Sequence, residues 1–193
     1  MMKINNAYYL LSSVKAQDFP DLPHPEFAFL GRSNVGKSSL LNMVTGQKNL
    51  CRVGQKPGVT KAINFFIINE NLVFADLPGF GYSKLPKDVK GKFLPLINNY
   101  IAMRNNLKLV FLLVDIRRVP GEYEREIVIQ CTERRVPVAI IATKCDKFSN
   151  NQLKKNSRII ASSLEIETDS IFLSSSKSRM GRDDILNLIE DYR

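Results

Sequence analysis

The residue types best suited to chemistry stand in one short run near the start of the chain, Gly31-Arg32-Ser33-Asn34-Val35-Gly36-Lys37-Ser38, followed by Ser39. The run has the spacing of a loop that binds phosphate groups. Its glycines let successive backbone N–H groups point at one anion, and a helix beginning here adds the partial positive charge of its N-terminus. Lys37 would reach the terminal phosphates, and the Ser38 hydroxyl would coordinate Mg²⁺. The run therefore predicts a nucleotide phosphate site.

A second segment, Asp76-Leu77-Pro78-Gly79, follows an apolar run and could complete that site. The Asp76 carboxylate is expected to hold Mg²⁺, through a water molecule, and the Gly79 N–H to contact a terminal phosphate. Asp115 is an alternative magnesium ligand, because it also ends an apolar run. We favour Asp76, because the glycine three residues later supplies a phosphate contact that the Asp115 segment lacks.

Two later segments could determine which nucleotide base the site binds. The first is Thr143-Lys144-Cys145-Asp146, in which the aspartate could accept hydrogen bonds from N1–H and the N2 amino group of guanine. Adenine offers no such pair of donors and would leave the carboxylate unpaired. The Lys144 stem could lie along the base. The second segment is Ser174-Ser175-Ser176, where a backbone N–H could donate to the guanine carbonyl. Together they favour a guanine nucleotide.

Short apolar runs alternate with longer amphipathic ones, which favours an α/β sheet with helices on both faces. The strand candidates are residues 27–30, 62–68, 72–75, 109–114, 138–142 and 171–173. Asn69-Glu70-Asn71, between the second and third, is a hairpin signal. We therefore expect a mostly parallel six-stranded sheet with one antiparallel edge strand. The phosphate and base motifs then follow the carboxyl ends of parallel strands, where open α/β sheets bind ligands.

The remaining segments bear on domain organisation. Residues 1–26 are expected to form an N-terminal arm that packs on a GTP-binding domain of residues 27–193. The run Tyr8-Tyr9-Leu10-Leu11 within that arm is either an extra strand or a packed segment. Pro95 lies in a helix candidate and should kink it or delay its start. Two long loops, 47–61 and 78–88, lack periodicity and are expected to be functional or disordered.

The charge of the 193-residue chain favours a polyanionic partner, because the formal net charge is +9. Nucleic acid or an anionic membrane surface would fit, and solubility alone is the alternative. The chain is 44% hydrophobic and 24% charged, as in soluble globular proteins. No apolar run is long enough to cross a bilayer, so stable membrane insertion is not expected. Three scattered cysteines without a C-x-x-C pair indicate free thiols in the cytoplasm. We expect a monomer.

The order of these motifs resembles that of the translation-factor-related (TRAFAC) GTPases. G-R-S-N-V-G-K-S, K-P-G-x-T, D-L-P-G-F-G-Y, L-V-D-x-R and T-K-x-D together resemble the EngB family (also called YihA or YsxC) of bacterial GTPases. The resemblance implies a Ras-like P-loop GTPase fold, bound GTP or GDP, and a switch in assembly of the large ribosomal subunit that normal cell division and septation require. It also implies that Gly58-Val59-Thr60 supplies the switch threonine, whose hydroxyl joins the Mg²⁺ shell only when the γ-phosphate is present.

Catalysis is expected to depend on Lys37, Thr60 and Gly79, which contact the phosphate oxygens or the metal. Ras-like proteins place a glutamine after D-x-x-G to orient the attacking water, but Phe80 stands there in this chain. A phenyl ring forms no such hydrogen bond, so we expect slow intrinsic hydrolysis. Some related GTPases bind K⁺ through an asparagine at the position of Asn34. Stabilising the loop backbone is the alternative role for Asn34.

Four lysines border the second long loop and would contact ribosomal RNA in the GTP state: Lys84, Lys87, Lys90 and Lys92. A solvated helix face is the alternative. Other functions stay open, namely a P-loop nucleoside or metabolite kinase, an RNA-binding module that holds GTP without turnover, and action at the membrane of the division site. A kinase would need an arginine-rich lid, which is not evident, and would leave Asp146 unexplained. No lipid-binding helix or lipidation signal supports the membrane hypothesis.

Overall fold

Seven strands form one sheet in the computed structural model, which describes residues 2–51, 62–81 and 87–193, the last range by backbone alone over residues 87–94. The strands are β1 (Ala7–Ser13), β2 (Glu26–Gly31), β3 (Ile63–Ile68), β4 (Leu72–Asp76), β5 (Leu107–Asp115), β6 (Val138–Thr143) and β7 (Ile171–Leu173). Their order across the sheet is β1-β3-β4-β2-β5-β6-β7. From β4 to β7 all neighbours are parallel, whereas β3 is antiparallel to both β1 and β4. The predicted α/β class and mostly parallel sheet are confirmed.

The sheet has one strand more than the six expected, because β1 pairs with β3 along its whole length, from Ala7 opposite Ile68 to Ser13 opposite Ile63. Of the two alternatives for the apolar run in the arm, the extra strand is therefore the one observed. Its apolar signal is weak because Tyr8 and Tyr9 are 44% and 53% exposed, as an edge strand allows. The antiparallel β3 consequently lies second from the edge.

The five helices of the described ranges cover both faces of the sheet, as predicted: α1 (Lys37–Thr45), α2 (Lys87–Met103), α3 (Glu122–Glu133), α4 (Asn150–Leu164) and α5 (Arg182–Tyr192). Ile97 of α2, Ile127 of α3 and Ile160 of α4 are buried in one apolar cluster. Leu40 of α1 and Ile185 of α5 are buried in the cluster on the other face. Helix α2 begins before Pro95 and continues past it, so the proline does not delay its start. None of these helices is both long and apolar enough to cross a bilayer.

A buried ionic cluster holds the first residue of β2 against the end of α2. Glu26 is fully buried and accepts hydrogen bonds from the Tyr100 hydroxyl and from Arg104, whose Nη2 lies 2.7 Å from Oε2. A buried carboxylate is stable only when charged or polar partners satisfy it, as they do here. Because β2 leads directly into the phosphate-loop sequence, the cluster anchors the strand that positions that loop.

Candidate nucleotide-binding site

The phosphate-loop sequence forms a tight turn between the end of β2 and the start of α1. Gly36 has φ +110° and Asn34 has φ +63°, and both values lie in the left-handed region. A Cβ atom at Gly31 would lie 2.6 Å from the backbone oxygen of Leu113, so only glycine fits beside β5. The backbone thus has the strand–turn–helix context that the motif requires, and it places Ser38 and Ser39 in the first turn of α1.

Lys37 and Asp76 meet at the phosphate side of the site. The lysine Nζ forms an ion pair with Asp76 Oδ1, and the two side chains are only 10% and 7% exposed. Asn64 of β3 donates a longer hydrogen bond, 3.4 Å, to the other carboxylate oxygen. Residues on three elements, α1, β3 and β4, therefore converge here. Asn64 has no motif around it, and the sequence analysis missed it.

The Asp76–Gly79 segment lies against the phosphate loop. The backbone N–H of Ser33 donates to the Phe80 oxygen at 2.9 Å, and the N–H of Phe80 donates to the Gly31 oxygen at 3.3 Å. A Cβ atom on Gly79 would lie 3.2 Å from the Ser33 backbone, closer than side chains normally approach. The two segments predicted to contact phosphate are therefore neighbours, although they are far apart in sequence.

The two predicted base-binding segments also meet. The N–H of Cys145 donates to the Ser174 oxygen at 3.1 Å, and the Ser175 hydroxyl donates to Asp146 Oδ1 at 2.7 Å. This hydrogen bond lowers the pKa of the Asp146 carboxyl below its usual value, so the exposed side chain is ionised. An ionised carboxylate is the form that can accept both guanine donors. Ser176 shares an open cavity of about 590 Å³ with Ser39 of α1.

Two contacts connect the base side of the site to the phosphate loop. The Thr143 hydroxyl donates to the Val35 oxygen at 2.7 Å. The Lys144 Nζ donates to the Asn34 oxygen at 2.8 Å and pairs with Asp115 Oδ2 at 2.9 Å. The distance between the base-binding and phosphate-binding segments is therefore set by direct contacts.

Asp115 is nearly buried, and its carboxylate is occupied by cations. Arg117 donates to it from Nε at 2.8 Å and from Nη2 at 2.6 Å, and Lys144 contacts it as well. Burial alone would raise the pKa of Asp115, but these hydrogen bonds outweigh that effect and hold the pKa well below its usual range. Of the two candidate magnesium ligands, Asp76 contacts the phosphate-loop lysine, whereas Asp115 orients the lysine of the base-binding segment. The assignment of Mg²⁺ to Asp76 stays a prediction.

Some predicted site residues lie outside the described part of the chain. These are Gly58, Val59 and Thr60 in the first long loop, together with Lys84 in the second. The side chains of Lys87, Lys90 and Lys92 likewise lie outside it. Their proposed roles stay predictions.

Replacing Asp115 with asparagine should lower the affinity for GDP and GTP by about 10-fold, the size expected when one charged hydrogen-bonding partner is lost. The Lys144 ammonium would lose its buried counter-ion. The Lys144 side chain would then be less firmly fixed in the position where its stem is predicted to lie along the base. Titration calorimetry at several Mg²⁺ concentrations measures this effect. Asp183→Asn, at an exposed aspartate in a loose pair with Arg182, is the matched control and should leave the affinity for GDP and GTP unchanged. A raised Mg²⁺ requirement with unchanged GDP affinity would instead make Asp115 a metal ligand.

Gly181 supports the base-binding loop and was also missed by the sequence analysis. It precedes α5 with φ +75°, and a Cβ atom there would overlap the Leu173 oxygen just before Ser174. The sequence signal was a glycine directly ahead of a helix pattern. Gly181→Ala should therefore lower the free energy of unfolding by about 2–4 kcal/mol, from backbone strain and steric overlap, and weaken GDP binding.

Urea unfolding and calorimetry measure both effects. Gly121→Ala is the matched control, because Gly121 also precedes a helix but has φ −109°, and its Cβ atom would meet nothing nearer than 3.6 Å. Equal losses of stability in the two variants would contradict the steric explanation.

Known proteins are similar to this chain in both sequence and fold. The family described as "50S ribosome-binding GTPase" matches residues 26–144. Two relatives described as "Probable GTP-binding protein EngB", from Fusobacterium nucleatum and Pelobacter propionicus, are each 42% identical to this chain. The alignments cover 98% and 94% of this chain and 98% and 91% of the relatives.

A solved structure described as "Crystal structure of a probable GTP-binding protein engB" has a TM-score of 0.72 and 27% identity. The match covers 86% of this chain and 97% of that one. The family match spans more than half of the chain, and the relatives are similar over nearly all of it. The chain therefore belongs to the EngB family of P-loop GTPases, which bind and hydrolyse GTP.

Proposed function

We propose that this protein is a slow, Mg²⁺-dependent GTP switch that acts in the cytoplasm, as a monomer, on precursors of the large ribosomal subunit. The proposal rests on one observation: the predicted phosphate-binding and base-binding halves of the site are in direct contact. The Lys37–Asp76 pair marks the phosphate half and the Asp146–Ser175 pair marks the base half. Lys144 bridges them through its contact with the phosphate loop. The description of the matched family as ribosome-binding supports the choice of target.

The oxygen atoms at the phosphate half suit magnesium, which prefers carboxylate, hydroxyl and water ligands. Ser38 and Asp76 would hold the ion, and Thr60 would join them in the GTP state. Bound Mg²⁺ would neutralise charge on the phosphate oxygens. The ion pair of Lys37 with Asp76 shows that this pocket already brings a cation against the carboxylate. With nucleotide present, Lys37 is free to bind the terminal phosphates, and Gly79 offers its N–H beside them.

Slow hydrolysis follows from what occupies the position after Gly79. Phe80 is 3% exposed and packs with its ring centroid 6.0 Å from that of Tyr123 in α3. The ring is part of the apolar core and has no group that could orient water. The attacking water therefore needs an orienting group from the ribosome or from a bound ion, since alignment of the nucleophile is a large part of phosphoryl-transfer catalysis.

Asn34 is the residue through which K⁺ would act. Its side chain is exposed, and its backbone is held in the left-handed region with the carbonyl oxygen engaged by Lys144. Single-turnover hydrolysis should be faster in KCl than in NaCl at equal ionic strength. Asn34→Gly keeps the backbone conformation and removes the side chain, so it should abolish the difference. Equal wild-type rates in the two salts would leave Asn34 with the loop-stabilising role alone.

The switch would work through the two long loops, 47–61 and the predicted 78–88, of which the second ends before Lys87 because α2 begins there. GTP would order both loops through Thr60 and Gly79. In that state Lys84, Lys87, Lys90 and Lys92 would contact ribosomal RNA. The test is co-sedimentation with purified large subunits and their precursors. More protein should sediment with a non-hydrolysable GTP analogue than with GDP. Equal sedimentation with both nucleotides would remove the switch from the proposal, and no sedimentation would remove the ribosomal target.

The role in division is proposed as a consequence of that target. Depletion of the protein should cause large-subunit precursors to accumulate before septa fail. Septation defects with a normal subunit profile would contradict this order. A nucleotide panel that showed preference for ATP would favour the kinase alternative, and tight GTP binding without turnover even on subunits would favour the RNA-binding module.

A further inference from the structure

Helix α4 presents a face that is basic and contains no acidic residue. The cations are Lys154, Lys155 and Arg158, together with Lys147 in the turn before the helix, and all four are exposed. We call these four residues the α4 basic face. From residue 147 to the end of α4 at Leu164 the sequence contains neither Asp nor Glu. The opposite side of the helix is apolar, and Leu153, Ile160 and Leu164 are buried in the core.

The burial of those apolar residues fixes the rotation of α4, so the cations cannot turn away from solvent. Lys154 and Arg158 are four residues apart, and Lys155 and Arg158 are three apart. Like charges at these spacings face one another on a helix and destabilise it. The ion pairs seen among the described residues involve none of the four cations. No close ion pair among the described residues therefore offsets this repulsion.

Acidic residues lie on neighbouring helices and at both ends of this stretch, where Asp146 directly precedes Lys147 and Glu165 directly follows α4. Helix α3, which packs beside α4, carries Glu122, Glu126 and Glu133. Helix α5, on the other face of the sheet, carries Asp183, Asp184, Glu190 and Asp191. Within α4 itself, by contrast, every charged side chain is positive.

We infer that the α4 basic face binds the phosphate backbone of RNA. Arg and Lys beside amide and hydroxyl side chains are the usual donors to phosphate and ribose, and Asn151, Gln152 and Ser162 are exposed on the same helix. A protein partner would normally require apolar or aromatic anchors, but Ile159 is the one large apolar side chain of α4 that is strongly exposed. A membrane would need the apolar side of α4, which the core already occupies.

The α4 basic face lies next to the segment predicted to bind the base. Lys147 directly follows Asp146, and α4 begins three residues after Lys147. RNA on this face would therefore lie beside the predicted base-binding loop, on a part of the chain different from the loops predicted to change with GTP hydrolysis. The face would hold RNA in both nucleotide states, while those loops add state-dependent contacts. The inference rests on the proposed ribosomal role, because it names the surface that meets ribosomal RNA.

The test compares two triple charge reversals in the full-length protein. The first is Lys154→Glu, Lys155→Glu and Arg158→Glu, on the α4 basic face. The matched control is Lys3→Glu, Lys15→Glu and Lys108→Glu, at three exposed lysines outside α4. These substitutions lower the net charge by the same amount as the α4 reversal. Binding to protein-free large-subunit rRNA and to intact large subunits is measured over a range of KCl concentrations, with GDP calorimetry and thermal melting as folding controls.

The α4 reversal should lower the affinity for rRNA at least 10-fold, and it should reduce the slope of log affinity against log salt by about 2 to 3, one unit for each lost phosphate contact. The control should retain most of the affinity, and both variants should bind GDP as wild type does. Equal losses in the two variants would overturn the inference.

Loss of subunit binding by the α4 variant, with no wild-type binding to protein-free rRNA, would also overturn it and indicate an acidic protein partner. Failure of the wild type to bind subunits at all is a different result, because it contradicts the proposed ribosomal role itself.

Discussion

Replacing Asp146 with asparagine is expected to lower the affinity for GDP and GTP by about 100-fold or more and to create affinity for xanthine nucleotides. The carboxylate is ionised and oriented by Ser175, so it can accept both guanine donors at once. An asparagine amide has one acceptor and would turn its N–H donors towards the guanine N2 amino group. Xanthine carries a carbonyl at that position, which can accept from the amide.

Competition between GDP and XDP for a fluorescent nucleotide measures both halves of this prediction. Asp169→Asn is the matched control, because Asp169 is exposed and lies outside the base-binding segments. The control should bind GDP as the wild type does. Unchanged GDP affinity in the Asp146 variant would show that the base is bound elsewhere, and a loss of GDP binding without any gain for XDP would show that Asp146 supports the loop and does not read the base.

Replacing Lys37 with methionine is expected to lower the affinity for GTP by about 100-fold or more, since charge-assisted contacts to phosphate are among the strongest polar interactions. The same change should destabilise the nucleotide-free protein by about 3 kcal/mol, because Asp76 would remain as a largely buried carboxylate without its cation. Calorimetry and urea unfolding measure the two effects separately. Lys108→Met, at an exposed lysine on β5, should change neither quantity.

The double variant Lys37→Met with Asp76→Asn separates binding from folding. Removing the unpaired carboxylate should restore most of the lost stability, but GTP should still bind weakly. If the double variant recovered GTP affinity together with stability, the defect of the single variant would come from the fold, and Lys37 would have no direct role at the phosphates.

Asp115 and β1 are two places where the sequence leaves alternatives open and where contacts between distant segments matter. From the sequence Asp115 is an alternative magnesium ligand, because it ends a buried strand as Asp76 does. In the structure Asp115 contacts Arg117, two residues away, and Lys144, which directly follows the neighbouring strand β6. The strand β1 was ambiguous because an edge strand exposes one side and needs few apolar residues. The contact between Asp115 and Lys144 and the pairing of β1 with β3 both depend on which strands are neighbours.

The sequence by itself determined which segments are candidates for the nucleotide site, because phosphate loops and base-binding segments use short-range backbone chemistry that residue type and spacing encode directly. It also determined the α/β class, because apolar periodicity reports which side of each element is buried. Only the tertiary structure decided which of these residues touch. The pairs Lys37–Asp76, Asp146–Ser175 and Lys144–Asp115 join residues that lie on different elements or in the segments that follow different strands. Such contacts are set by strand order and packing of the whole sheet, which no local stretch of sequence specifies.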